Sequence, residues 1–193
     1  MKMHTGRLVL TPQDPFYLPT RLDAILERLH EIRFRGEPVE GMNGRHYLLG
    51  ERFMQLVSFL GCSPFIQLEP SHDGEPFCHL IIDGPHPQAI FLRGKNTTQP
   101  SCENCRKRIP QWQPLIDQWL AAPDTFLASC PHCGHQQNPA SYNWRQSAGS
   151  GRLFLFVENI FPNEAIPSPE LLRALEESDE MGGGWRFFYI QDQ

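Results

Sequence analysis

The sequence predicts an α+β fold: a mainly antiparallel sheet with helices on one face, plus a small cysteine-bearing insert between two strands. Three observations carry this. Apolar residues recur at helical spacing in Leu22–Ile32 and again in Leu171–Leu175. Short runs of aliphatic and aromatic residues, broken by Asp, Gly and Pro, read as strands. Two Cys-x-x-Cys pairs fall within residues 98–145, with regular patterns on both sides.

In chain order, Arg7–Thr11 is the first strand, followed by a Pro-rich connector from Pro12 to Pro19. Leu22, Ile25, Leu26, Leu29 and Ile32 then form an apolar stripe opposite Arg21, Glu27, Arg28 and Glu31, which predicts a helix. Thr20 and Asp23 have the spacing of a capping box, and Gly36 is the expected stop. Residues 37–47, with Pro38, Gly41 and Gly44, read as a loop. A second helix is expected from Leu49, Phe53, Leu56, Val57 and Leu60, ending at Gly61. Strands follow at Phe65–Leu68, Phe77–Ile82 and Ala89–Leu92, and the turns between them predict an antiparallel meander.

Beyond the cysteine region, Gln146–Gly151 reads as a flexible linker and Arg152–Glu158 as a strand. Ser168-Pro169-Glu170 opens a helix with a capping hydroxyl, a proline in the first turn and an acid at the positive end. Trp185–Ile190 has aromatics on both faces and is expected as a central strand. Residues 1–97 together with 146–193 then form the α+β domain, and 98–145 the insert.

Composition narrows the classes. With 193 residues, 40% of them hydrophobic and 13 of them Phe, the chain can bury a sizeable core, which excludes global disorder. Apolar runs such as Leu153–Val157 are too short to cross a bilayer as a helix, so no membrane partner is expected. Met1–Arg7 lacks the apolar stretch of a secretory signal, and a cytoplasmic location is expected. A net charge of −5 disfavours a general nucleic-acid binder. The charge is uneven, with a local excess of four positive charges over Arg93–Arg108 and of six negative ones from Glu158 onward.

Four of the six cysteines form Cys102-Glu-Asn-Cys105 and Cys130-Pro-His-Cys133, with 24 residues between the pairs. A Cys-x-x-Cys turn aims both sulfurs at one point. Two such turns supply four thiolates, the donor set of a tetrahedral structural zinc site. Gln99–Arg108 and Phe126–His135 are similar to the two halves of a zinc ribbon, a resemblance that covers about a quarter of the chain. Spacing and resemblance together imply one structural Zn2+ on Cys102, Cys105, Cys130 and Cys133, with no position left for a water. A redox dithiol and a rubredoxin-like iron site use the same residues. Cys62 and Cys78 stand alone in apolar surroundings and are expected in the core.

Where a minimal ribbon has a hairpin, Trp112, Leu115, Ile116, Trp119 and Leu120 recur at helical spacing. The two tryptophans fit the insert's own core, a seam with the main domain, or an exposed anchor for a partner. His72, His79, Asp83 and His86 form a candidate second metal or acid–base cluster, although turns are rich in such residues. His132 and His135, inside the second knuckle, are expected as exposed turn residues. Ser147–Gly151 precedes a strand and lacks the lysine of a phosphate-cradling loop.

The chain therefore reads as a non-enzymatic binding or adaptor protein whose zinc insert contacts another protein. One alternative is a nucleic-acid-associated protein using Arg93, Lys95, Arg106, Lys107, Arg108 and Trp144-Arg145. Another is an enzyme with a site assembled from residues distant in sequence. No catalytic or cofactor-binding residue is assigned beyond the metal ligands.

Overall fold

The computed structural model describes residues 6–60, 66–71, 74–178 and 183–191. Its first part runs β1 (Gly6–Pro12), α1 (Leu22–Glu31), β2 (Arg35–Pro38), β3 (His46–Leu49), the one-turn helix α2 (Phe53–Leu56) and β4 (Val57–Phe59). Next come β5 (Leu80–Asp83), β6 (Ile90–Arg93), α3 (Gln113–Ala121), β7 (Ala128–Ser129) and β8 (Gln136–Gln137). The chain closes with β9 (Ala148–Gly151), β10 (Phe154–Glu158), β11 (Ala165–Pro167), α4 (Pro169–Glu177) and β12 (Trp185–Gln191).

The frame is a six-stranded antiparallel sheet in the order β12-β1-β10-β5-β3-β2. Side chains alternate across a strand, and the two faces of this sheet bury different things. On one face Leu8, Leu10, Leu80, Leu155 and Val157 pack against Ile25 and Leu29 of α1, Phe53 and Leu56 of α2, and Leu171 and Leu175 of α4. The helices do lie on one face. On the other, Val9, Phe154, Phe156 and Phe188 meet Ile90 and Leu92 of β6, which pairs with β9 as a separate two-stranded ribbon.

Several elements depart from the sequence reading, each for a local reason. Helix α1 starts at Leu22 after Arg21 with no side-chain cap, so the Thr20 box does not form. Its end is set by Arg33, which takes a φ of 59° while the Phe34 N–H returns to the Leu29 carbonyl (2.9 Å). Gly36 lies instead in β2. Leu49 belongs to β3, and only Phe53–Leu56 is helical before the chain extends into β4. The helical spacing of apolar residues there reflects a short turn flanked by two strands that feed the same core.

No meander forms. Residues 66–68 are not a strand, and Phe65 and Gly61 lie outside the described residues. Strand β5 pairs with β10 and β3, and β6 with β9. The expected linker is β9 itself, with all four residues buried. Its small side chains come from close approach, because a Cβ on Gly149 would stand 2.5 Å from the Phe188 ring. Strand β12 is an edge strand, not a central one; its two apolar faces are covered by α4 and by the β6–β9 ribbon. Helix α4 starts as expected, with Ser168 Oγ accepting the Leu171 N–H at 3.2 Å. Among the described residues no helix is long and apolar enough to cross a membrane.

Gly149→Ala tests the close approach. The added methyl must displace the Phe188 ring, and overpacking of this kind costs about 1–3 kcal/mol. Urea unfolding should show a stability loss of that size, read as a lower midpoint at an unchanged slope. An unchanged midpoint would mean that the ribbon slides without cost.

Candidate metal centre

The four paired cysteines converge. Their sulfurs all lie within 4.8 Å of one another, with Cys102 Sγ 3.9 Å from Cys133 Sγ and Cys105 Sγ 3.7 Å from Cys130 Sγ. A tetrahedron of thiolates about 2.3 Å from a zinc-sized ion has edges of about 3.8 Å. The cluster already has the dimensions of a single four-coordinate ion. Cys102 and Cys130 are buried, Cys105 is half-buried and Cys133 is exposed.

The two knuckles are built alike. In the first, the Arg106 N–H reaches the Cys102 carbonyl (3.0 Å) and the Cys102 N–H the Lys107 carbonyl (3.0 Å). In the second, Gly134 N–H to Cys130 O (2.9 Å) and Cys130 N–H to His135 O (2.8 Å) repeat the pattern. The residue after each second cysteine is left-handed, with φ of 60° at Arg106 and 72° at Gly134. The second knuckle is the turn between β7 and β8, and the first is closed by pairing of Ser101 with Arg108.

Polar neighbours complete the site. The His132 N–H points at Cys130 Sγ (3.4 Å) and Asn104 Nδ2 at Cys133 Sγ (3.7 Å). Donors of this kind stabilise thiolate. The His135 backbone N–H and the Asn104 amide bring Cys133 down to about 6. At Cys105 the Lys107 N–H pulls the same way, but burial and the neighbouring thiols outweigh it and push that thiol up to about 11. Four thiols this close cannot all ionise without a cation. Tyr142 has a buried hydroxyl with no hydrogen-bond partner among the described residues, raised to about 12 by burial and then by the charges of Cys130 and Cys102. It remains a donor beside a centre that gains negative charge. Donor set, spacing and surroundings all fit one metal ion.

No family model, no curated protein and no solved structure matches this chain. The chemistry of the site is therefore read from its own residues.

Sequence reasoning misses Gln137, which is buried in β8. Its Oε1 accepts the Glu103 N–H (3.1 Å) and the Cys102 thiol (3.3 Å), so one side chain braces the first knuckle from the second. A glutamine outside both motifs carries no signal of this. His132 and His135 are exposed, and His132 Nε2 adds a tie to the Arg108 carbonyl (3.0 Å). Neither tryptophan is an exposed anchor. Trp112 packs edge-on against Trp144 at 5.1 Å and touches Phe91, while Trp119 is fully buried with Ala89, Phe16 and Ala140. Arg106, Lys107 and Arg108 are exposed along the first knuckle, as are Arg93, Lys95 and Arg145. Of the lone cysteines, Cys78 is fully buried in the main core and Cys62 lies outside the described residues.

The expected His–Asp cluster separates. His86 Nε2 meets Asp83 Oδ2 at 3.1 Å in the turn after β5, whereas His79 Nε2 meets His46 Nδ1 at 3.2 Å. His72 lies outside the described residues. Burial lowers the His79 pKa, the Phe77 carbonyl opposes the shift, and His46 adds to it. The unfolded chain therefore takes a proton that the folded one refuses, and His79 removes stability as pH falls below about 6.5. The urea midpoint should drop between pH 7.5 and 5.5 more steeply for the wild type than for His79→Gln. Equal slopes would show that His79 is protonated without penalty.

Proposed function

We propose that this is a non-enzymatic binding protein, acting as an adaptor, whose residues 98–145 form a zinc-ribbon-like insert holding one structural Zn2+. The contact surface for another protein includes that insert. The observation that carries the metal assignment is the closed set of four sulfurs at tetrahedral spacing. Soft thiolates select zinc or iron over magnesium or calcium. Zinc bound by Cys102, Cys105, Cys130 and Cys133 supplies cohesion and charge neutralisation, and four protein donors leave no position for a reacting water.

The partner surface is supported by charge. Arg106, Lys107 and Arg108 stand exposed on one knuckle of a chain whose net charge is −5. Such a patch steers an acidic partner and does so more strongly at low salt. A reducing compartment such as the cytoplasm keeps the four thiols available for metal.

Metal analysis of the purified protein should return close to one equivalent of zinc, or of zinc plus iron. Less than half an equivalent, with every thiol titratable, contradicts the metal. Cys130→Ser leaves three thiolates and should lose most of the bound metal. Amide protection should then fall across residues 98–145 and persist in β1, β5 and β10. Loss spreading through β5 and β10 would make the cysteine region part of the main core, and the division into domain and insert would be withdrawn.

A further inference from the structure

The outer edge of β12 is half sealed and half open. Tyr189 donates its N–H to the Gln146 carbonyl (2.9 Å) and accepts Asn96 Nδ2 (2.8 Å). Gln191 accepts the Lys95 N–H (3.1 Å) and donates to Asn96 Oδ1 (2.9 Å). Backbone groups of an antiparallel strand alternate between its two sides, residue by residue. Trp185 and Phe187 therefore turn their N–H and C=O outward as well, while Arg186 and Phe188 face their register partners Thr11 and Val9. Among the described residues nothing takes up the outward groups of Trp185 and Phe187.

These two residues border a cavity of about 400 Å3, closed by Leu172 of α4 on one side and by the Trp144–Gln146 turn on the other. Both charged residues that line it are arginines, Arg145 and Arg186. Arg186 is half-buried, gives one guanidinium N–H to the Ser150 carbonyl (2.7 Å), and has a buried Nε with no hydrogen-bond partner among the described residues. The turn presenting Arg145 is unusual. The Ser147 N–H bonds to the Trp144 carbonyl (3.0 Å), and Arg145 and Gln146 are left-handed at φ of 50° and 60°. That is the type I′ geometry for which Asn-Gly is the favoured pair.

We propose that the open half of the β12 edge binds an extended acidic segment of a partner protein as an added strand. Its backbone pairs with Trp185 and Phe187, and its carboxylates meet Arg145 and Arg186. Unpaired strand edges recruit extended peptides through main-chain hydrogen bonds, with flanking side chains giving selectivity. The proposal deepens the binding-protein reading and rests on it. The metal enters through the wall: Ser101, next to Cys102, pairs with Asn143 (3.0 and 3.1 Å), two residues before Arg145.

The test is selection from a displayed random decapeptide library on the full-length, zinc-loaded protein, with metal content measured on the same sample. Selected peptides should be rich in Asp, Glu and β-branched residues. In the free protein the Trp185 and Phe187 amides should exchange much faster than those of Arg186 and Phe188, and bound peptide should slow them at least tenfold. Arg145→Asn with Gln146→Gly installs the favoured turn, so the double variant should be at least as stable as the wild type yet bind the peptides at least tenfold more weakly. Full binding by that variant, peptides that leave both amides exchanging freely, or capture only of single-stranded RNA offered in parallel would overturn the proposal. Zinc-loaded protein that selects no such peptide overturns the groove and leaves the metal reading standing. Capture by protein with under half an equivalent of metal does the reverse.

Discussion

Strand β9 lies so close to the central sheet that Gly149 leaves no room for a side chain beneath the Phe188 ring, and Gly151 meets Thr11 Oγ1 in the same way. The placement of the cysteine region depends on this contact. Strand β6, where the chain leaves the main sheet, is carried by its pairing with β9, where the chain returns. Both ends of the cysteine region are thus carried by one ribbon laid face-on against β12, not by two loose tethers. Phe91 of that ribbon touches Trp112 and Trp144, and Ala89 just before it covers Trp119, so the aromatics of the cysteine region continue the ribbon's own packing. The same close approach brings Gln146 and Asn96 to the outer backbone of β12.

Much of the fold was legible where a local rule and a tertiary demand agree. The stripe Leu22–Ile32, the Ser168 cap, the run at residues 7–11 and, from Phe154 onward, the run at 152–158 bury the faces their spacing announces. The reading failed where composition has two physical causes. Ala-Gly-Ser-Gly is what a flexible linker uses for freedom and what a buried strand uses for close approach, and only the neighbour at 2.5 Å distinguishes them. The same holds for β12: aromatics on both faces mark a strand covered twice, which a central strand and an edge strand between a helix and a ribbon satisfy equally. The convergence of the four paired cysteines was legible because a Cys-x-x-Cys turn needs only local geometry. Gln137 and the Tyr142 hydroxyl were not, since their positions follow from how the two knuckles meet.

The two knuckles share one backbone geometry on different sequences. Both place the residue after the second cysteine in the left-handed region, yet one has Gly134 and the other Arg106. A side chain there costs about 1–2 kcal/mol. The first knuckle is held to that geometry by the Ser101–Arg108 pairing and by Gln137 on the Glu103 N–H. Within a cluster whose edges are 3.7 and 3.9 Å, hydrogen bonds hold the Cys133 thiol low while burial and the neighbouring thiols hold Cys105 high.

The Arg145–Gln146 turn carries a similar cost twice over, because both central residues are left-handed and neither is glycine or asparagine. Chain reversal alone would be met more cheaply by Asn-Gly. Three local bonds offset part of the strain: the Arg145 N–H to Asn143 Oδ1, the Ser147 hydroxyl to the Trp144 carbonyl, and the Tyr189 N–H to the Gln146 carbonyl. The last of these ties the turn to β12, and the Asn143–Ser101 pairing ties its start to the first knuckle. A strained turn fixed at both ends transmits position. Ser101, Asn143 and Trp144 are all that separates Cys102 from Arg145 along this path, so the wall of the open stretch of β12 is built onto the first knuckle.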